Sequence, residues 1–203
     1  MQNHTRVEQL NPNHIPDMPI IGGNLALDFI NTVEHWNMGP YKEYLAIVPD
    51  WVDWLKRQQL IDNNQKISGG EKELSLIRKQ RNQLYSIVKN YLDNQSIHSS
   101  DLSLINQRLQ DAYSNRLTVF ENERFIYKWS YDPEKALSYL QPIFISLKSL
   151  LHKLPSKRLK ACSECGWLFW DNTRSSTKKW CDMKFCGSRS KSREHYHRKK
   201  KNS

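Results

Sequence analysis

The chain has 203 residues, 31 Lys plus Arg against 21 Asp plus Glu, and a formal net charge of +10. With 38% hydrophobic and 26% charged residues it has the apolar material for a core and is not composed like a disordered tail. It lacks the run of about 18 apolar residues that a membrane span needs, and the opening MQNHTRVEQLNPNH has neither a basic nor an apolar targeting stretch, so a soluble cytoplasmic protein is expected.

Residues 1 to 20, with Pro12, Pro16 and Pro19 among asparagines, read as an irregular lead-in. After Gly22 and Gly23, the residues Leu25, Leu27, Phe29, Ile30, Val33 and Trp36 recur at helical spacing, which predicts an amphipathic helix capped by Asn24 and running to about Trp36. Asp28, Asn31 and Thr32 share one face of it at i, i+3 and i+4. They read either as part of a ligand pocket in a sensory domain or as buried polar groups bonded to a neighbouring loop. Asp50 is placed to cap a second helix to about Leu60, with Trp51 and Trp54 as core or interface. Gly69 and Gly70 precede a long helix from Glu71 to Leu92, striped by Leu74, Ile77, Leu84, Ile87, Val88 and Tyr91. A shorter helix, capped by Asp101, follows through Leu104, Ile105, Leu109 and Tyr113. The alternation Leu117, Val119 and, past a Glu121-Asn122-Glu123 turn, Phe125, Tyr127 and Trp129 predicts a hairpin of two half-buried strands. Asp132-Pro133 starts the last large helix, which turns Leu137, Leu140, Ile143, Phe144, Leu147, Leu150 and Leu151 inward and is kinked by Pro142.

Beyond Pro155 the composition changes. Residues 153–203 hold 15 Lys plus Arg and 4 acids, whereas residues 1–152 hold 16 and 17. An asymmetry of this size marks a segment for a polyanion, nucleic acid or an acidic membrane surface, with a solvated basic tail as the plainer alternative. All four cysteines, Cys162, Cys165, Cys181 and Cys186, fall here in the spacing C-x2-C-x15-C-x4-C. Four thiolates gathered in a short stretch of a reducing compartment suit the tetrahedral, sulfur-rich shell of one structural Zn(II) per chain. A disulfide staple needs an oxidising compartment, and a redox C-x-x-C needs no second pair. The shell is full, so the metal folds the segment and does no chemistry.

GWLFWD (166–171) reads as a strand, 172–177 as a turn and 178–180 as the returning strand, with the first cysteine pair before this hairpin and Cys181 at its end. From Asp182 a basic helix follows with Cys186 in or near its first turn, giving a treble-clef-like unit. Lys184, Arg189, Lys191, Arg193, Arg198 and Lys199 are its candidate nucleic-acid contacts, with Arg189 or Arg193 as readers of guanine edges. His195, Tyr196 and His197 interleave with them; ordinary exposed surface is the plainer reading of the two histidines. Trp167, Phe169, Trp170 and Trp180 read as the unit's small core. No segment gathers a nucleophile, acid and base, and no enzyme is expected.

The run CSECGWLFWDNTRSSTKKWCDMKFCGSRSKSREHYHRKK resembles the CGNR zinc finger, and GGNLALDFINTV resembles the opening of the ABATE domain that precedes it in a family of bacterial stress-induced transcription regulators. One position departs: Ser188 stands where the family signature has Asn. The expected fold class is mainly α with a short β-hairpin (α+β): a helical domain over 20–152 and a treble-clef-like zinc finger over 156–203. The resemblance implies a zinc-finger transcription regulator with an N-terminal sensor or dimerisation domain. DNA is the expected partner ahead of RNA, with a small-molecule effector, a homodimer and no membrane. An RNA-binding or ribosome-associated zinc protein, or a zinc-dependent protein-interaction module, are the alternatives.

Overall fold

The computed structural model describes residues 15, 18–37, 42–132 and 134–201. Most of the predicted lead-in, and Pro133, lie outside these. α1 (Leu25–Ile30) is short and central, with every residue from Ala26 to Ile30 buried. Asn24 caps it as expected: its side-chain oxygen accepts from Ala26 N–H at 3.0 Å while its Nδ2 donates to Ser146 O at 3.3 Å. The helix stops at Ile30, well short of Trp36. The Thr32 hydroxyl donates to Phe29 O at 2.8 Å and Asn31 turns its carboxamide toward another strand, after which Val33 forms a single bridge with Glu43.

α2 (Val48–Arg57) carries Trp51 and Trp54 on its buried face, stacked at 5.4 Å, with Phe29 against both. Asp50 sits inside its first turn, not at the cap; one carboxylate oxygen accepts from Ala46 and Ile47 N–H at 2.9 Å each. α3 (Glu71–Asn94) is the predicted long helix, with Gly70 at its cap and Leu74, Ile77, Leu84, Ile87 and Val88 inside. Its Arg81, 1% exposed, is paired to Glu43 by bonds of 2.6 and 2.8 Å. α4 (Ser99–Ser114) begins two residues ahead of Asp101.

β1 (Arg116–Glu121) and β2 (Arg124–Trp129) form the predicted antiparallel hairpin, turning at Asn122 and Glu123 with φ of 51° and 62°. It is not half-buried. Leu117, Phe120, Phe125 and Tyr127 are 50–76% exposed, and among the described residues the hairpin packs on the helices chiefly where β1 touches α4. The last large helix is divided into a 3-10 turn, Ala136–Leu140, and α5 (Gln141–Leu151). Pro142 lies in the first turn of α5 and so starts a helix instead of kinking one, since its missing N–H would have no partner there in any case.

In the C-terminal segment β3 (Leu159–Ala161) pairs antiparallel with β4 (Leu168–Trp170). The partner of the GWLFWD strand is therefore upstream, not residues 178–180, and Cys162 and Cys165 lie in the hairpin's own loop. A wide turn of π geometry, Met183–Gly187, leads into α6 (Ser188–Lys201). The fold is thus mainly helical with short antiparallel hairpins, and one apolar core runs from Phe29, Trp54, Leu84 and Leu147 through Leu159, Leu168 and Phe169. No described helix is long and apolar enough to cross a membrane.

Candidate metal centre and basic helix

The loop between β3 and β4 folds back on itself because Cys162 N–H donates to Trp167 O at 2.7 Å and Gly166 N–H to Cys162 O at 2.9 Å. Gly166 has φ +79°, and a Cβ there would lie 2.5 Å from Asn37 Oδ1 and 2.8 Å from Trp36 Cβ, so only glycine fits the turn. The loop also directs Cys165 N–H at the Cys162 sulfur and Trp167 N–H at the Cys165 sulfur.

Cys162, Cys165, Cys181 and Cys186 are all buried, and their Sγ atoms lie within 4.8 Å of one another. Cys165 Sγ to Cys181 Sγ is 3.7 Å and Cys181 Sγ to Cys186 Sγ is 3.6 Å. A tetrahedron of thiolates about 2.3 Å from zinc has edges of about 3.8 Å, so the spacing suits the metal. Contact with the other three sulfurs drives the Cys162 thiol far down, whereas contact with Cys162 first, and burial, push Cys165 and Cys181 up. Four buried sulfurs at these distances cannot all ionise without a cation among them, and an all-sulfur set favours zinc over hard cations.

Two acids, Asp171 and Asp182, hold this centre in shape. Asp171 is fully buried: one carboxylate oxygen accepts from Thr173 N–H and Oγ1 at 2.9 and 2.6 Å, the other from Lys160 Nζ and Lys178 N–H at 2.8 and 2.9 Å. Burial alone would raise its pKa, but Lys160 and these donors hold it below the usual carboxylate range. Asp182 caps the turn into α6, accepting from Lys184 and Phe185 N–H at 2.7 and 3.0 Å. Ser188, at the departing signature position, donates its hydroxyl to Met183 O at 3.3 Å and so serves the turn.

α6 presents two sides. Arg189 and Arg193, at i and i+4, face the rest of the chain: Arg189 Nη1 is 3.4 Å from His35 Nε2, and Arg193 Nη2 pairs with Glu164, a buried acid of the cysteine loop. The two predicted base readers are thus engaged within the molecule, a tertiary fact with no signal in spacing. On the opposite side Lys191, His195 and Arg198 follow at i, i+4 and i+7, all exposed, as are Lys184 in the preceding turn and Lys199. Among the small core, Trp167 and Phe169 are buried and Trp170 and Trp180 partly so.

Asp28, Asn31 and Thr32 are buried, and their bonds go to the chain itself. Asp28 Oδ1 accepts from Gly22 N–H at 2.7 Å, and burial raises its pKa to about 6 against the pull of the Gly22 and Ile21 N–H groups. Asn31 Nδ2 donates to Leu168 O at 2.8 Å and its Oδ1 accepts from Leu168 N–H at 3.0 Å. Thr32 receives Arg81 at both its carbonyl and its hydroxyl. The sequence places these polar groups on one face; Asn31 meets β4, whereas Asp28 meets the turn at Gly22 and Thr32 meets Phe29 and Arg81.

Two family models match this chain. The one described as "CGNR zinc finger" covers residues 158–199, and ABATE, described as "Putative stress-induced transcription regulator", covers residues 23–151. No curated protein matches.

Proposed function

Since the chain belongs to the ABATE family and closes in a CGNR zinc finger, we propose that it is a transcription regulator that binds nucleic acid, DNA ahead of RNA, through α6. The observation that carries this reading is the exposed basic side of α6, Lys191 with Arg198, opposite the side that Glu164 and His35 hold. A helix of 14 residues spans about 21 Å. It enters a major groove while its engaged arginines fix its angle. One Zn(II) held by Cys162, Cys165, Cys181 and Cys186 is structural, and with it residues 153–203 keep a net charge of about +9, which favours phosphate binding by counterion release. The N-terminal domain serves as sensor or dimerisation unit, and no enzymatic step is assigned to either part.

Competition between duplex DNA and structured RNA for the zinc-loaded chain at fixed salt tests the reading. Lys191→Ala and Arg198→Ala should each flatten the salt slope by roughly one unit and weaken all sequences alike if they contact phosphate. Preference for RNA would move the protein to the RNA-binding class. Absence of binding to either at low salt would make the finger a protein-interaction module.

A further inference from the structure

A cavity of about 460 Å³ opens at the root of the β1–β2 hairpin, between the end of α4, the 3-10 turn and the start of α5. We propose that it binds a small organic anion with an apolar body and is the effector site of the N-terminal domain. The volume lies in the range of small-molecule sites, about 300–1,000 Å³. The site is distinct from Asp28, Asn31 and Thr32, whose bonds are made within the protein.

The class of ligand follows from which wall groups are already committed. Lys135 is paired with Asp132 at 2.9 Å, and that carboxylate also takes Glu134 N–H. Ser138 Oγ donates to Asp132 O, and Ser130 N–H donates to Asn115 O, closing the hairpin root. Asn115 Nδ2 is bonded to Asp111 O. The Asp111 carboxylate also lines the site and faces Arg108, and two further side chains keep shielded polar atoms without a hydrogen bond. The Arg108 guanidinium forms an i,i+3 ion pair with Asp111 at 3.8 Å, too long for a hydrogen bond, makes no hydrogen bond among the described residues, and has its Nε shielded from water without a partner. The Gln141 carboxamide is likewise unpartnered, with its Oε1 shielded. A fork of guanidinium donors recognises a carboxylate, and the Gln141 amide can join it through its Nε2 donor, its shielded Oε1 being an acceptor. Leu137, Leu140 and Phe144 complete the lining and take a ring or alkyl chain. Gln141 opens α5, whose Ser146 receives the N-terminal cap of α1, so an occupant would bear on the helices that carry the finger.

Calorimetric titration of the zinc-loaded full chain with benzoate, phenylacetate and hexanoate, and with benzyl alcohol as the uncharged counterpart, tests this without nucleic acid. A failure of the DNA reading therefore leaves the outcome legible. At least one carboxylate is expected to bind saturably at millimolar concentration or below, with benzyl alcohol weaker. Arg108→Gln should lower that affinity about tenfold, the loss of a charge-assisted hydrogen bond, while exposed Lys72→Gln leaves it unchanged. Gln141→Leu gives a second reading through the amide, with a smaller loss expected. Saturable binding by none of the three carboxylates, or affinity that survives both Arg108→Gln and Gln141→Leu, overturns the proposal.

Discussion

The two hairpins of this protein make opposite use of the same topology. β1–β2 has six residues in each strand and stands largely in solvent, held by its turn, the Phe120–Phe125 ring pair at 5.0 Å and Arg116 over the Tyr127 ring at 3.8 Å. β3–β4 has three residues in each strand, yet Leu159, Leu168 and Phe169 are buried. A two-stranded hairpin alone is marginal in water, so length decides little. What decides is the set of outside groups that reach it. β4 receives Asn31 on both backbone groups of Leu168, and Trp170 N–H donates to Gly22 O at 2.8 Å, while the cysteine loop closes its far end. Nothing comparable reaches β1–β2 among the described residues.

The comparison breaks most visibly at the metal. Chelating zinc, or Cys186→Ser, should strip the β3–β4 amides of hydrogen-exchange protection while β1–β2 and α3 keep theirs. Structural zinc supplies roughly 10–16 kcal/mol in finger peptides, more than three strand residues can replace. Equal loss in both hairpins would show that the short one does not depend on its own clamps.

Asn31→Ala comes next. It leaves the Leu168 N–H and C=O buried without partners, at a cost of about 3–5 kcal/mol by chemical denaturation, and Asn31→Asp should recover part of it by keeping the acceptor. A loss under about 1 kcal/mol would mean that water or a shifted side chain takes the place of the carboxamide.

Asp28 gives a pH-dependent version. It holds Gly22 N–H, and the Gly22 carbonyl holds β4. Its folded pKa, about 6, lies above its ordinary value of 3.8. The native state therefore binds the proton more tightly than the unfolded chain does. Its stabilisation is full below about pH 4 and falls by about 2–3 kcal/mol as pH rises to 6. Asp28→Asn keeps an acceptor and should flatten that part of the profile; an unchanged slope would assign the effect elsewhere. Smallest of all, Phe125→Ser, at a residue 76% exposed, removes the ring pair with Phe120 and should lower stability by no more than about 1 kcal/mol, measured by thermal unfolding.

What was legible in the sequence was whatever depends on neighbours along the chain. The stripes of α2 and α3, the alternation of β1–β2 and the four-cysteine spacing all carry a period, and each corresponds to a feature of the structure. The misplacements have a common cause in contacts distant in the chain. Apolar spacing extends α1 to Trp36 because it continues past the point where Asn31 leaves for β4, 137 residues away. β3 carries no pattern of its own, because Leu159–Ala161 is too short for one and is a strand through its pairing with β4. Spacing offers Arg193 as a reader of guanine edges because Glu164, which holds it, lies 29 residues upstream in a different loop.

The bonds from Trp36 N–H to Cys165 O, from Trp167 Nε1 to Val33 O and from Asn31 to Leu168 have a mechanical consequence. They weld the finger to the helices, whereas fingers strung on linkers swivel independently. If α6 docks on nucleic acid as proposed, little ordering entropy is lost, which favours affinity, but the helix cannot adjust its pitch alone to an ill-fitting groove. On the DNA reading proposed above, a poorly fitting duplex would have to bend or widen to meet α6, and its deformability would then become part of what is read.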